Sequence, residues 1–221
     1  RPLRYPFEGM MLNRVLHDEW LVDLASSKGA KYLTGARVES VNGETVTLRD
    51  GRNFHGKIIV GAGGHNDPLR RARWSESSLK IPIKFVLMEG EFGDAVELHF
   101  GSMAPGGYAW VFPKERGANI GLGIQNKFSK GRSLNSLAEG FISNYEGDIT
   151  FRGAGSLPMS GSIKQFVKGN HLLVGDSAGM VLPSNGAGIT IAMVGGRIAG
   201  QTVVSHLDEG TSLHAYEKEW K

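Results

Sequence analysis

One segment limits the fold more than any other: His171 to His206, HLLVGDSAGMVLPSNGAGITIAMVGGRIAGQTVVSH. The apolar run His171–Val174 predicts a buried strand that stops at Gly175-Asp176. Small residues and Pro183 follow, and Gly186-Ala187-Gly188 then opens a long helix from Gly188 to His206. Strand, short loop and helix in that order belong to an α/β layer. Asp176, a carboxylate at the strand's carboxyl end, can accept hydrogen bonds from ligand hydroxyls. The helix N-terminus offers free N–H groups and the positive end of its dipole to an anion. Gly186 and Gly188 let the backbone approach such a ligand with no Cβ between. Ile189, Ala192, Met193 and Ala199 suit a helix packed beneath it. The plain alternative is an ordinary strand-to-helix connection with an aspartate in its turn.

The same residues carry a remote third reading. Gly175–Gly179 fits G-x-S-x-G, the nucleophile elbow of serine hydrolases, with Ser177 as nucleophile. An acid and a histidine must then follow. Only Asp208, Glu209, the terminal glutamates, His206 and His214 remain, close to the C-terminus and with no further strands to place them. Pro183 and Ser184-Asn185-Gly186 also interrupt the helix into which an elbow runs directly.

Upstream, Asn13–Ser27 puts Val15, Leu16, Trp20, Leu21, Leu24 and Ala25 on one stripe, which predicts a helix stopped near Gly29. Short strands are expected at Tyr32–Leu33, Arg37–Val41 and Thr45–Leu48, with Asn42-Gly43 as a hairpin turn. Lys57–Val60 reads as a buried strand running into Gly61-Ala62-Gly63-Gly64. From about Ser75 the texture changes. Ile81–Met88, Val96–Phe100, Tyr108–Phe112 and Asn119–Ile124 are strand-like with little helix between them, which predicts an antiparallel sheet. Leu134–Tyr145 is an expected helix, Leu157–Ile163 a loop, and Leu213–Trp220 the start of a last helix. The order is α/β, then β-rich, then α/β again, so the fold class is α/β (α+β overall).

Composition narrows the function classes. The chain has 221 residues, a net charge of +3 and no cysteine. Disulfides, thiolate metal sites and a cysteine nucleophile are thereby excluded, no metal site is expected, and cytoplasm is the default compartment. No run of Lys and Arg interleaved with aromatics points to nucleic acid. The uncharged run Ser177–Gly196 has the length of a membrane span but holds Pro183, Ser184, Asn185 and several glycines, so it reads as loop plus buried helix. The N-terminal residues lack the apolar core of a signal peptide.

The Gly175–Arg197 segment resembles the Gly-Asp motif and closing helix of flavoproteins of the geranylgeranyl reductase and FixC-like family. A second match is Pro105-Gly106-Gly107-Tyr108-Ala109-Trp110-Val111-Phe112-Pro113, similar to that family's P-x-x-Y-x-W-x-F-P signature, followed by Asn119–Gly123. A third is Asn13-Arg14 with Asp18, which resembles its R-x-x-x-D helix. The Val60–Arg70 segment departs from the pattern A-D-G-x-x-S: Gly63 stands for its Asp and Asp67 for its Ser. No G-x-G-x-x-G occurs. The resemblance places that glycine-bearing βαβ unit before Arg1, so the chain is expected to be a truncated product or fragment.

The resemblance implies a partial FAD-binding Rossmann-like domain of the aromatic-hydroxylase and glutathione-reductase type, interrupted by a substrate domain. The expected segments are 1–74 (FAD-binding), 75–165 (antiparallel substrate domain) and 166–221 (return to the FAD domain and C-terminal helices). Carried over, FAD would meet Arg14, Val38, Asp176, Gly186, Gly188 and Ile189. Tyr108, Trp110 and Phe112, on one face of an alternating strand, would line the site of an apolar isoprenoid chain, or else simply belong to the core. The implied activity is reduction of C=C bonds in a prenyl lipid or pigment precursor, with electrons from NAD(P)H or ferredoxin. Peripheral membrane contact is implied by the substrate class alone. No catalytic residue is identified; Tyr108 is a candidate proton donor set against a plain structural role. Alternatives within the fold are a FAD monooxygenase and a FixC-like electron-transfer flavoprotein. Outside it stands a non-catalytic remnant or a binding module for an apolar chain.

Overall fold

The computed structural model describes residues 3–6, 9–75 and 79–221. Residues 76–78, at the start of the expected substrate segment, and part of the N-terminal stretch read for a signal lie outside the described residues. In chain order the elements are α1 (Arg14–Ser27), β1 (Val38–Asn42), β2 (Thr45–Leu48), β3 (Asn53–His55), β4 (Ile59–Gly61), α2 (Pro68–Arg73), β5 (Lys80–Glu89) and β6 (Glu97–His99). Then come β7 (Tyr108–Lys114), β8 (Gly117–Gly123), α3 (Leu134–Ile142), β9 (Asp148–Pro158), β10 (Val167–Lys168), β11 (His171–Leu173), α4 (Ile189–Glu209) and α5 (Ala215–Trp220). The chain is a mixed α/β protein that divides into two units: residues 1–35 with 83–154, and residues 36–82 with 155–221.

The first unit is built on a five-stranded sheet in the order β6-β7-β8-β5-β9. β8 is antiparallel to both β7 and β5, so Trp110 and Phe85 both register against Gly121. Alternation divides the sheet into two faces. Val86, Met88, Ala109, Val111, Ala118, Ile120 and Leu122 form one buried cluster with Ala138, Phe141 and Ile142 of α3. Ser133 caps α3 by accepting from the Ser136 amide at 3.1 Å. Tyr108, Trp110 and Phe112 lie on the opposite face, outside that cluster.

Helix α1 starts where expected, with Asn13 Oδ1 accepting from the amides of Val15 and Leu16 at 3.2 and 3.4 Å. Its apolar stripe, however, buries nothing: Val15 is 66% exposed and Trp20 57%. The pattern reports a helix correctly but not what covers it.

The second unit holds two three-stranded sheets, β1-β2-β3 and β10-β11-β4. The Asn42-Gly43 turn closes β1 on β2, with Asn42 paired to Thr45. β4 and β11 run parallel, Ile59 to His171 and Gly61 to Leu173. Their core joins Ile59, Leu172 and Leu173 to Leu69 of α2 and the adjacent Trp74, to Met180 in the loop after β11, to Ile198 and Ala199 of α4, and to Tyr216 of α5. Tyr216 donates to the Leu173 carbonyl at 3.2 Å. Glu217 accepts from the amides of Phe166 and Val167 at 2.6 and 3.0 Å, tying α5 to β10. α4 buries only the stripe Gly195, Ile198, Ala199 and Thr202.

Three expectations need correction. Tyr32–Leu33 is not a strand: among the described residues none pairs with it, and a turn follows at once. The stretch before Leu157 is the eleven-residue β9, which runs to Pro158 where a loop was expected. α4 is not buried all round: Met193, Val194 and Val204 are 40–58% exposed. Among the described residues no helix is long and apolar enough to cross a membrane.

Candidate cofactor and substrate residues

In the second unit, the carboxyl ends of the parallel strands β4 and β11 carry two short turns, Gly64–Asn66 and Gly175–Ala178. Carboxyl ends of neighbouring parallel strands are where open α/β sheets place ligands. Asp67 and Arg70 organise this end. The Asp67 carboxylate, 4% exposed, accepts from the Gly63 amide at 2.6 Å and the Arg70 amide at 3.0 Å. It thereby caps α2 and pins the glycine loop in one stroke. The Arg70 guanidinium, also buried, donates from Nη1 to the Ser177 carbonyl at 2.6 Å, 107 residues along the chain. The two turns are thus tied through one aspartate and one arginine. A Cβ on Gly63 would come within 2.8 Å of Asp67 Oδ2, so the glycine at 63 and the carboxylate at 67 fit only together.

Asp176 stands on the second turn, half-buried. Burial pushes its carboxyl upward, and His65 on the facing turn partly offsets that. A Cβ at Gly188, the N-cap of α4, would lie 3.2 Å from Asp176 Oδ1. The carboxylate therefore sits close over the helix start, where a Cβ would crowd it. No side chain caps α4, which leaves its first amides free. The preceding loop is closed by the Leu182 carbonyl accepting from the Gly186 amide at 2.8 Å and by Asn185 Oδ1 accepting from the Ala187 amide at 3.0 Å. Ile189, first in the helix, is 38% exposed. The structure thus brings Asp176, Gly186, Gly188 and Ile189 together in one unit.

Val38 opens β1 in that same unit. Arg14 lies in α1 of the other unit. Its guanidinium grips Asp18 through Nε at 3.2 Å and Nη2 at 2.9 Å, so the R-x-x-x-D spacing is an i,i+4 ion pair at the surface. Ser177 is fully buried, and its Oγ has no hydrogen-bond partner. A nucleophile needs an exposed oxygen and a base within reach. Ser177 has neither, and the hydrolase reading falls.

In the first unit the aromatic row is continuous. Ring centroids are 5.8 Å apart from Tyr108 to Trp110 and 5.9 Å from Trp110 to Phe112, the latter pair stacked. Phe100 extends the row at 6.0 Å from Tyr108. Trp110 donates from Nε1 to Asn119 Oδ1 at 2.7 Å, which fixes its ring. The neighbouring strands make space for these rings. A Cβ at Gly121 would be 2.5 Å from the Trp110 ring, and one at Gly153 would be 2.3 Å from the Phe85 ring. Phe85 in turn meets Phe151 at 6.0 Å. Burial pushes the Tyr108 phenol up, so it stays protonated well beyond neutral pH. The sequence pattern names Tyr108, Trp110 and Phe112 as candidates; Phe85, Phe151 and the glycines beneath them join the same face only in the structure. The signal was present as glycines alternating with Ile120 and Leu122, small on one face and large on the other.

Residues 80–154, which span this sheet, match the family model for the geranylgeranyl reductase catalytic domain. Over 220 residues the chain is 31% identical to digeranylgeranylglycerophospholipid reductase 3 of Methanosphaera stadtmanae, covering 90% of this chain and 55% of that one. It is 32% identical to digeranylgeranylglycerophospholipid reductase 1 of Methanopyrus kandleri, covering 97% of this chain and 64% of the relative. The chain is thus similar to geranylgeranyl reductases over most of its length. It spans between 55% and 64% of the length of these two relatives. Among solved structures it is similar to a geranylgeranyl bacteriochlorophyll reductase-like protein of Thermoplasma acidophilum, with a TM-score of 0.76 and 26% identity over 93% of this chain and 58% of that one. A flavin-dependent halogenase of Brevundimonas, at 18% identity and a TM-score of 0.71 over 95% of this chain and 45% of its own, shares the fold.

Proposed function

We propose that this protein acts as a FAD-dependent reductase of isoprenoid C=C bonds, with the geranylgeranyl chains of a glycerophospholipid as substrate. The observation that carries the reading is the aromatic face of the five-stranded sheet, a row of rings from Phe100 to Phe112 that lies outside the unit's aliphatic core. An extended polyene presents flat, apolar, weakly polarised surface, and stacked rings above glycines offer the matching contact. The names of the relatives support the substrate class.

The fit of FAD rests on the end of β11. Asp176 presents a carboxylate with no hydrogen-bond partner among the described residues, beside a helix start where a Cβ would crowd it. Asp176 would accept from a ribityl hydroxyl, while Gly186, Gly188 and Ile189 would bring backbone N–H groups to the cofactor. Arg14 and Val38 are proposed to meet its adenosine part. The reading assigns residues 1–74 and 166–221 to cofactor binding and 75–165 to substrate. When bound, FAD supplies hydride chemistry, with electrons from an external donor such as NAD(P)H or ferredoxin. An isolated alkene accepts hydride only if a proton reaches its other carbon. The Tyr108 phenol, kept protonated by its surroundings, is the proposed donor. Peripheral contact with a membrane follows from a lipid substrate.

The test is anaerobic. Purified protein incubated with FAD should turn yellow, and after dithionite reduction should add a pair of hydrogens to each reduced bond of a digeranylgeranyl lipid, read by mass spectrometry. Protein that stays colourless and binds no FAD overturns the reading. Hydroxylated lipid formed only with O₂ would favour a monooxygenase.

A further inference from the structure

His65 is absorbed by none of the above. It stands on the turn leaving β4, packed against the turn leaving β11 that carries Asp176. Ser156, near the end of β9, holds the imidazole, with Oγ 2.7 Å from Nε2. The charged groups acting on it come from three further elements: Lys80 at the start of β5, Asp176, and Arg70 in α2. Partial burial and the two cations disfavour its protonated form; Asp176 alone favours it. At neutral pH the imidazole is therefore uncharged, and the Asp176 carboxylate is open. Among the described residues a protonated imidazole finds one negative neighbour, Asp176, and competes for the lone pairs a ligand hydroxyl would use.

We propose that His65, oriented by Ser156, is the protonation-controlled partner of Asp176: neutral, it leaves the carboxylate open to a polyhydroxyl ligand, and charged, it engages it. This rests on the reading of Asp176 as a ligand acceptor, and two measurements separate the claims. The first needs no ligand. The His65 imidazole is titrated by NMR in the purified protein and in Asp176→Asn. Loss of the lone counter-charge should move its midpoint to lower pH, and an unchanged midpoint overturns the coupling. The second follows FAD affinity by fluorescence quenching between about pH 7.5 and about pH 5.5. The unaltered protein should lose roughly fivefold or more, and His65→Gln, which still meets Ser156 but carries no charge, less than about twofold. A slope in His65→Gln equal to that of the unaltered protein overturns the inference. Ser156→Ala should keep the step and shift its midpoint; an unmoved midpoint overturns the role given to Ser156. Undiminished affinity of Asp176→Asn at the higher pH overturns the reading of Asp176 and the ligand half of the proposal together, while the NMR titration still decides the coupling.

Discussion

The two faces of the five-stranded sheet are both apolar, yet only one is a core. Ile120, Leu122, Val111 and Val86 are each exposed by 3% or less and meet α3. Across the same strands, Tyr108, Phe112 and Phe85 are half-buried, the Trp110 and Phe85 rings lie over glycines, and the rings from Tyr108 to Phe112 meet one another. The difference is one of chemistry as well as burial. Branched aliphatic side chains interlock with a helix and hold it; flat rings over glycine leave a surface that can receive a flat guest. Ordinary folding accounts for the first face, and the second is where the proposed prenyl chain would lie.

Substitutions can break that contrast. Ile120→Ala should cost the most, about 2–5 kcal/mol, because the site is closed by α3 and cannot collapse freely. Urea unfolding measures it, and a loss below about 1 kcal/mol would mean this face is no tighter than the other. Gly121→Val should follow at about 1–3 kcal/mol through overpacking. It should also displace the Trp110 ring, seen as a change in tryptophan emission, and emission that does not move would contradict the close contact. Asn119→Ala removes the acceptor of the Trp110 N–H and should cost about 1 kcal/mol, with the indole signal sharpening or shifting in NMR.

The smallest effect at neutral pH belongs to Tyr108→Phe, within about 0.5 kcal/mol. Its value lies in its pH dependence. The folded phenol titrates above its ordinary value of 10.0, so whatever Tyr108 contributes is fully present below pH 10 and is lost as pH rises through the higher folded value. Stability of the first unit should therefore fall faster above pH 10 in the unaltered protein than in Tyr108→Phe. Equal alkaline slopes would remove Tyr108 as a buried phenol. On the aliphatic side Tyr145, whose phenol is also pushed up by burial, adds an alkaline limb of its own, which Tyr108→Phe leaves in place.

How much of this was legible varies with the element. β7 and β8 could be read from their alternation, and α4 from the glycine that precedes it and the spacing that follows. β9 could not. Its sequence DITFRGAGSLP has two glycines and a weak apolar period, and it becomes a strand because β5 offers an edge and Phe85 fills the gap over Gly153. Of the proposed site, Asp176, Gly188 and the aromatic row were visible because each sits in a local pattern. Arg70 and Ser156 were not, since each acts on a residue distant along the chain, Ser177 and His65.

His171–His206 on its own determined a strand, a turn with a carboxylate and a glycine-opened helix, because dihedral preference and side-chain period are local properties of the chain. Tertiary structure decided what that carboxylate faces. Parallel pairing of β4 with β11 put His65 beside Asp176, and a buried arginine fastened the two turns. It also left the α1 stripe uncovered, though its period is that of a buried helix. Pattern says which face is apolar; only packing says what, if anything, lies against it.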